Sequence, residues 1–408
     1  MSTLKVNAIS DSAGANGNAI TLASDGKCAI TGSTITADTG KFTNLPNRNL
    51  IINGAMQVAQ RGTSTSSGSP GTYATVDRFS CTFYGTNEAI TQAQHTLTSS
   101  DTGPWAKGFR NSFHLTNGDQ DESTAVAGDQ VMIVQYIEAQ NIANSGWDYT
   151  SASSYITLSF WVKSSVAQNF YGHLEIEDGT AYNYPFETGS LSADTWTKIT
   201  KTIPGNSNIT IDNNNGRGLN LYIIPFIGTD FTATPTLNTW ATYASGTRTP
   251  DNTSTWYYTD DATFEITGVQ LEVGDTATEF EHRLYGDELA RCQRYYYRHA
   301  TGADGSGPYS IGPFACYAAN DIFGMIDLPV TMRANPTLDQ VTGTDYYKVY
   351  SNSGSDAFNS FGAVWNPSPT CIGLNANSTG GVSGRTAGHA TFVRTDDTNA
   401  YLAFSAEL

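Results

Sequence analysis

The stretch Tyr155-Ile-Thr-Leu-Ser-Phe-Trp-Val-Lys163 alternates with a period of two. Ile156, Leu158, Phe160 and Val162 share one parity, Thr157, Ser159 and Lys163 the other, and Trp161 is the exception on the polar side. Successive side chains of a strand point to opposite faces, so this pattern requires a half-buried strand of an antiparallel sheet. Gln130 to Ile137 is apolar enough for a central strand. Leu219 to Ile227 is another, although Pro225 cannot donate to a ladder and predicts an edge or a bulge. In Thr263 to Val273 the apolar parity changes between Phe264 and Ile266 on one side and Val269, Leu271 and Val273 on the other. One extra residue around Thr267-Gly268, a β-bulge, would restore a single buried face. Only 14% of residues are charged, and 39 are Gly, with Thr, Ser and Asn abundant. That mixture suits strands joined by tight turns and disfavours helix. The expected fold is all-β, with a jelly-roll β-sandwich over residues 49–285.

One helix stands out, about Gly286 to Arg298 (GDELARCQRYYYR). Leu289, Cys292 and Tyr296 fall on one stripe, Asp287 and Glu288 lie in the first turn, and Arg291, Arg294 and Arg298 lie toward the end, as the helix dipole favours. Residues 286–299 are read as a linker to a second small β-sandwich domain at 300–408, whose alternating end, Ala400 to Leu408, suits a locked strand. Residues 1–48 carry short apolar pairs (Ile20 and Leu22; Cys28 and Ile30) around the hairpin-turn signal Ser24-Asp25-Gly26-Lys27. They hold too few large hydrophobics for a core of their own. They form either an extended attachment segment ordered by other copies or a docking partner, or a disordered tail.

The net charge of −17 repels phosphate backbones and anionic bilayers, so neither nucleic-acid binding nor membrane insertion is expected. No stretch approaches the roughly 18 apolar residues of a membrane span. Met1-Ser-Thr-Leu-Lys-Val-Asn7 lacks the basic and apolar regions of a signal peptide. Cys28, Cys81, Cys292, Cys316 and Cys371 are odd in number and lack CxxC spacing, which reads as buried thiols made in a reducing cytosol.

Signatures of catalysis are missing: no GxSxG, P-loop, GxGxxG after a strand, or HExxH occurs. The histidines (His95, His114, His173, His282, His299, His389) are isolated in sequence, so no metal or cofactor is expected. Glu175-Ile-Glu177-Asp178 places two carboxylates on one strand face, as a glycosidase could use, but nothing supplies a second, separately tuned acid, and a polar strand face leading into the Asp178-Gly179 turn is the preferred reading. Asn117-Gly-Asp119-Gln-Asp121-Glu122 reads as an acidic turn, or else as oxygen ligands for a structural Ca²⁺ without EF-hand spacing. The most telling feature is aromatic. Trp147, Tyr149, Tyr182, Tyr184, Trp240, Tyr243, Trp256, Tyr257 and Tyr258 lie in turn-rich polar neighbourhoods, as do Tyr346, Tyr347, Tyr350 and Trp365 further on. Rings so placed stack on sugars, cap sandwich ends or fill an interface between copies. Trp147, Tyr182, Tyr184, Trp240, Trp256 and Tyr258 are the candidate sugar-contacting set.

An ordered series of motifs then carries a resemblance: Asn49-Leu-Ile-Ile-Asn-Gly-Ala-Met-Gln-Val-Ala-Gln-Arg-Gly62, Val76-Asp-Arg-Phe79, Ile266-Thr-Gly-Val-Gln-Leu-Glu-Val-Gly274, Thr278-Glu-Phe-Glu-His-Arg283 and the helix after it. Across residues 49–299 the chain resembles the tail-fibre-like and putative tail proteins of marine and environmental phages. Leu158-Ser-Phe-Trp-Val-Lys163 and Trp196-Thr-Lys-Ile-Thr-Lys201 also resemble jelly-roll carbohydrate-binding modules. Leu328-Pro-Val-Thr-Met-Arg-Ala-Asn-Pro-Thr337 and the terminal Ala-Glu-Leu recur in the same phage proteins, where they imply a distal head domain. Leu4-Lys-Val-Asn-Ala-Ile9 is loosely similar to fibre attachment ends. The resemblance implies a galactose-binding-like sandwich and a homotrimeric tail-fibre subunit. It would be synthesised in the host cytoplasm, joined to other virion tail proteins through the N-terminal segment, and bind a host cell-surface glycan without catalysis. A tailspike-type polysaccharide depolymerase and a capsid-decorating or tail-adaptor protein are the alternatives.

Overall fold

The turn-punctuated apolar runs become strands. In the computed structural model the described residues are 47–65, 71–120, 127–302, 309–352, 354–362 and 367–408. The expectations for the N-terminal segment, for Asp121 and Glu122, and for Trp365 lie outside them. The first strands are β1 (Ser64–Thr65), β2 (Ser80–Tyr84), β3 (Thr91–Thr96), β4 (Asn111–Thr116), β5 (Gln130–Glu138), β6 (Tyr155–Ser164) and β7 (Asn169–Ile176). They continue as β8 (Tyr182–Ser190), β9 (Thr197–Pro204), β10 (Arg217–Ile227), β11 (Thr232–Ala233), β12 (Ala241–Thr242), β13 (Thr249–Pro250) and β14 (Thr263–Val273). Two six-stranded sheets result, ordered β1-β3-β4-β14-β6-β9 and β12-β8-β7-β10-β5-β2. Every pairing within them is antiparallel. Short β11 and β13 pair in parallel outside both sheets.

The inward parities of the two sheets meet in one apolar cluster: Ile156, Leu158, Phe160 and Val162 from β6 share it with Leu174, Ile176, Phe186, Leu219, Leu221 and Ile223. Each fully buried side chain of this kind contributes about 1.5–3 kcal/mol. The β6 strand is not half-solvated, however. Thr157 and Ser159 on its other face are buried as well, and Trp161 packs with Phe109, Trp196, Trp105 and Phe280 in a smaller cluster over that face. The β14 bulge lies where the parity change put it. Register with β6 shifts between Thr267 and Gln270, and Gly268 takes the left-handed φ of 63°. Pro225 sits at a register shift between Ile223 and Phe226 in β10, a bulge and not an edge, since β7 and β5 flank the strand.

The described residues hold three α-helices, α1 (Ala139–Ala143), α2 (Thr255–Tyr258) and α3 (Tyr285–Gln293). The expected helix therefore ends early, and β15 (Tyr296–Thr301) begins within its predicted span. The run Tyr295-Tyr296-Tyr297 has high strand propensity, and a C-terminal strand supplies a ladder for it. Of the expected stripe Cys292 and Tyr296 are buried and Leu289 is only partly so; within the helix the buried residues are Glu288 and Cys292, and Tyr296 lies beyond it in β15.

The chain continues as β16 (Ser310–Ala318), β17 (Asp321–Asp327), β18 (Thr337–Gln340), β19 (Tyr347–Ser351), β20 (Gly354–Phe358), β21 (Cys371–Asn377), β22 (Ala390–Thr395) and β23 (Tyr401–Ser405). A six-stranded sheet, β20-β19-β22-β16-β17-β21, and a three-stranded one, β15-β23-β18, enclose a second apolar cluster that includes Phe314, Tyr347, Val349, Leu374, Leu402 and Phe404. Residues 44–408 nonetheless form a single compact unit. Cys81, Cys292, Cys316 and Cys371 are free thiols, the first three buried. Among the described residues no helix is long and apolar enough to cross a membrane.

Candidate functional site

The aromatic residues singled out in the sequence do not form an exposed platform. Trp147, Tyr184, Trp240 and Trp256 are buried in the sandwich core, with Tyr182 and Tyr258 packed partly buried against it. The three indole N–H groups donate to nearby backbone carbonyls: Trp147 Nε1 to Ser154 O at 3.3 Å, Trp240 Nε1 to Pro204 O at 2.7 Å, and Trp256 Nε1 to Thr263 O at 3.0 Å. The turns that made these rings look exposed supply acceptors for their polar tips, while the ring bodies close the sandwich. Tyr347 is likewise a core residue of the C-terminal part, and Tyr346 packs on the same core. Asn117 is buried, and its Nδ2 donates to Tyr257 O at 2.6 Å, so it braces its turn against α2.

Polar chemistry converges elsewhere, on the outer face of the second sheet. Because Leu174, Ile176, Leu219, Leu221, Ile223, Ile133 and Ile137 point inward, the alternate positions must point out. One cross-strand row is Asn183, Glu175, Asn220 and Tyr136, on β8, β7, β10 and β5; the next contains Pro185, His173, Tyr222 and Val134. The His173 and Tyr222 rings stack with centroids 4.2 Å apart and planes within 3°. Arg217 lies over the Tyr136 ring at 3.8 Å and 3.7 Å from Glu177 Oε1, which also accepts from Asn220 Nδ2 at 2.6 Å. On the opposite flank Arg248 Nε donates to Tyr243 Oη at 3.0 Å, and the Arg248 carbonyl accepts from Asn183 Nδ2 at 2.9 Å.

Beneath these half-exposed rings and guanidinium groups lies a floor with unused hydrogen-bonding capacity. His173, Asn183 and Asn220 are buried, yet both His173 ring nitrogens, Asn183 Oδ1 and Asn220 Oδ1 lack a partner at hydrogen-bond geometry. These polar atoms lie together beneath the Tyr136 and Tyr222 rings, where an unpaired buried polar atom costs about 1–3 kcal/mol. Burial, and then the charge of Glu177, pushes the Glu175 carboxyl up to about 7. Burial and the charge of Arg248 push His173 down to about 3, partly offset by Asn183. Burial and Glu175 raise Tyr222, and burial raises Tyr136 and Tyr243. The face thus offers tyrosine rings, two guanidinium groups, the Glu175 carboxyl raised to about 7 and a second acidic side chain, Glu177. These groups suit a polyhydroxylated ligand with an apolar ring face.

Of this set only Glu175, Glu177 and Tyr243 stood out in the sequence. Tyr136, Asn220 and Tyr222 did not, because the Gln130–Ile137 and Leu219–Ile227 runs were read for their apolar residues; Arg217 and Arg248 lie outside those runs. The overlooked signal was parity: Tyr136, Asn220 and Tyr222 alternate with the inward aliphatic residues Ile133, Ile137, Leu219, Leu221 and Ile223.

No family profile and no curated protein matches the chain. Among solved structures it is similar to the enzymatically active domain of tailspike protein 4 of bacteriophage CBA120, at 13% identity and a TM-score of 0.28, over 56% of this chain and 22% of that one. It is similar to a xylan-binding domain from Paenibacillus barcinonensis, at 11% identity and a TM-score of 0.24, over 48% of this chain and 87% of that one. The N-terminal cellulose-binding domain of a Cellulomonas fimi β-1,4-glucanase is similar at 8% identity and a TM-score of 0.24, over 53% of this chain and 97% of that one. The likeness to the tailspike spans about a fifth of that chain's length, 22%.

Proposed function

We propose that this chain is a tail-fibre-like virion subunit that holds a host-surface glycan on the outer face of its second sheet and catalyses no reaction. The observation that carries the binding role is the Tyr136–Tyr222–Glu175–Glu177–Arg217–Arg248 cluster over a floor of buried, unpaired polar atoms. Tyrosine rings stack on the C–H face of a pyranose, while guanidinium and carboxylate groups bond paired hydroxyls. The virion assignment rests on the motif series between Asn49 and Arg298. A homotrimer docked to other tail proteins and made in the host cytoplasm completes the proposal, and three copies would multiply a weak single-site affinity.

A glycan array probed with purified protein, followed by calorimetry on the best ligand, tests the site. Tyr222→Ala and Arg217→Ala are expected to weaken binding by at least about tenfold each, in line with loss of a stacking or charged contact worth roughly 1.4 kcal/mol or more. Undiminished binding by both variants would move the site off this face. A second reading, polysaccharide cleavage, draws on the Glu175 and Glu177 carboxyls sharing one face of the second sheet, where burial raises Glu175 to about 7, as suits a general acid. New reducing ends released from host polysaccharide by wild type, and abolished by Glu175→Gln, would establish that reading in place of the first. Cryo-electron microscopy of the intact particle separates a tail fibre from a capsid-decorating or adaptor protein by showing where the chain sits.

A further inference from the structure

Two histidines that are isolated in sequence stand together in the fold. In the first sheet β4 lies between β3 and β14, pairing Ser112 with His95, and His114 with Glu265. The His95 and His114 rings are 5.1 Å apart, edge to face. Both aim Nδ1 at one carboxylate: His95 Nδ1 is 3.0 Å from Glu265 Oε2, and His114 Nδ1 is 3.3 Å from Glu265 Oε1. We propose that His95, His114 and Glu265 form a site for a divalent transition-metal ion on the outer face of the first sheet.

The three ligand atoms lie within 4.8 Å of one another. Bond lengths near 2 Å put the ligands of a tetrahedral zinc about 3.3 Å apart, so the set needs only a modest contraction. His95 can supply it, because its side chain is 47% exposed, while Glu265 is 3% exposed. The same exposure leaves room for water as a further ligand. The supporting shell is in place. His114 Nε2 lies 3.1 Å from Thr116 Oγ1, which fixes the ring with Nδ1 turned toward Glu265. Ser112 Oγ donates to Glu265 Oε2 at 2.6 Å and orients the carboxylate. Such outer bonds are what metal-bound histidines and carboxylates need.

Lys163 is the competitor, with Nζ 2.8 Å from Glu265 Oε1. It also lies 3.3 Å from Asp101 Oδ1 and 4.9 Å from the Trp196 ring, so it has partners to keep when a dication takes the carboxylate. Two imidazoles and one carboxylate select zinc, cobalt or nickel over calcium or magnesium, which require oxygen ligands.

The test is titration of chelator-stripped, tag-free full-length protein with Co²⁺, read by visible absorption, and with Zn²⁺, read by calorimetry. Wild type is expected to bind one equivalent with the absorption of nitrogen-ligated cobalt, and His95→Ala and His114→Ala are each expected to weaken binding at least about tenfold. His95 is exposed, so its alanine variant should fold, with circular dichroism as the control; if His114→Ala misfolds, His95→Ala alone decides. Absence of saturable binding by wild type, or equal binding by His95→Ala, overturns the proposal.

Discussion

Glu175 is a residue whose ionised form the fold disfavours, because it is buried and Glu177 stands beside it. Its carboxyl rises from about 4.5 to about 7, so the native state holds the proton that the unfolded chain releases. The two forms match below about pH 4.5, and the native state loses stability as pH climbs through about 7. Glu175→Gln removes that loss. The variant is expected to match wild type near pH 4 in its sensitivity to this group, then to gain on the order of 2 kcal/mol relative to wild type near pH 8. Urea unfolding at both pH values checks this, and a difference that does not change with pH would show that burial leaves the carboxyl unperturbed. Legibility at this scale was poor for physical reasons. Trp147, Trp240 and Trp256 have polar tips that any nearby carbonyl satisfies, so a polar sequence neighbourhood said nothing about exposure. Tyr136, Asn220 and Tyr222 become a surface only when β5, β7 and β10 lie side by side.

Strands were more readable than helices because a strand's period survives packing. The parity change in β14 located the bulge at Thr267-Gly268, and the left-handed Gly268 makes it specific. A Cβ at Gly268 would lie 2.6 Å from the Phe109 ring, on a backbone with φ of 63°. Gly268→Ala is therefore expected to destabilise by about 1–3 kcal/mol, from strain at that φ plus displacement of Phe109. The denaturant midpoint should fall with the slope unchanged; an unaffected midpoint would mean that the bulge relaxes freely. The helix α3 shows the opposite case. Its acidic first turn and its start were legible, but its end was set by distant partners. Tyr296 pairs with Ser405 of β23, and Tyr295 Oη and the Arg294 guanidinium both donate to Glu138. No local periodicity contains those partners.

At the scale of the molecule, residues of three of the motifs that carry the resemblance, Arg61, Arg78 and Arg333, meet the C-terminal residues Ala406 and Glu407, away from the outer face of the second sheet. Asn53 Nδ2 donates to Val58 O and Asp77 O, each at 2.9 Å, and its backbone N–H donates to Glu288 at 2.6 Å. Arg78 is 1% exposed; it pairs with Glu407, donates to Tyr136 O at 2.7 Å, and lies 3.5 Å over the Tyr295 ring. Arg61 reaches the same Glu407 at 3.1 Å and stacks on Tyr296 at 3.5 Å. Arg333 donates to Ala406 O, Glu407 O and Asn215 O. Motifs far apart in the chain thus serve one junction between two apolar clusters. The groups that would choose a ligand on the second sheet lie largely outside those motifs. If the junction couples the two clusters, the protein unfolds in one transition, and weakening the junction moves all of it. Glu407→Ala leaves Arg78 buried beside no countercharge, which costs about 3–5 kcal/mol; Glu407→Gln keeps an acceptor and should cost less. Urea unfolding followed by tryptophan fluorescence, which reports mainly on the sandwich, and by far-ultraviolet circular dichroism should give coincident curves for wild type. Both curves should shift together in Glu407→Ala. A fluorescence transition left in place while the dichroism curve splits would show that the two clusters are stable independently and that the junction only positions them.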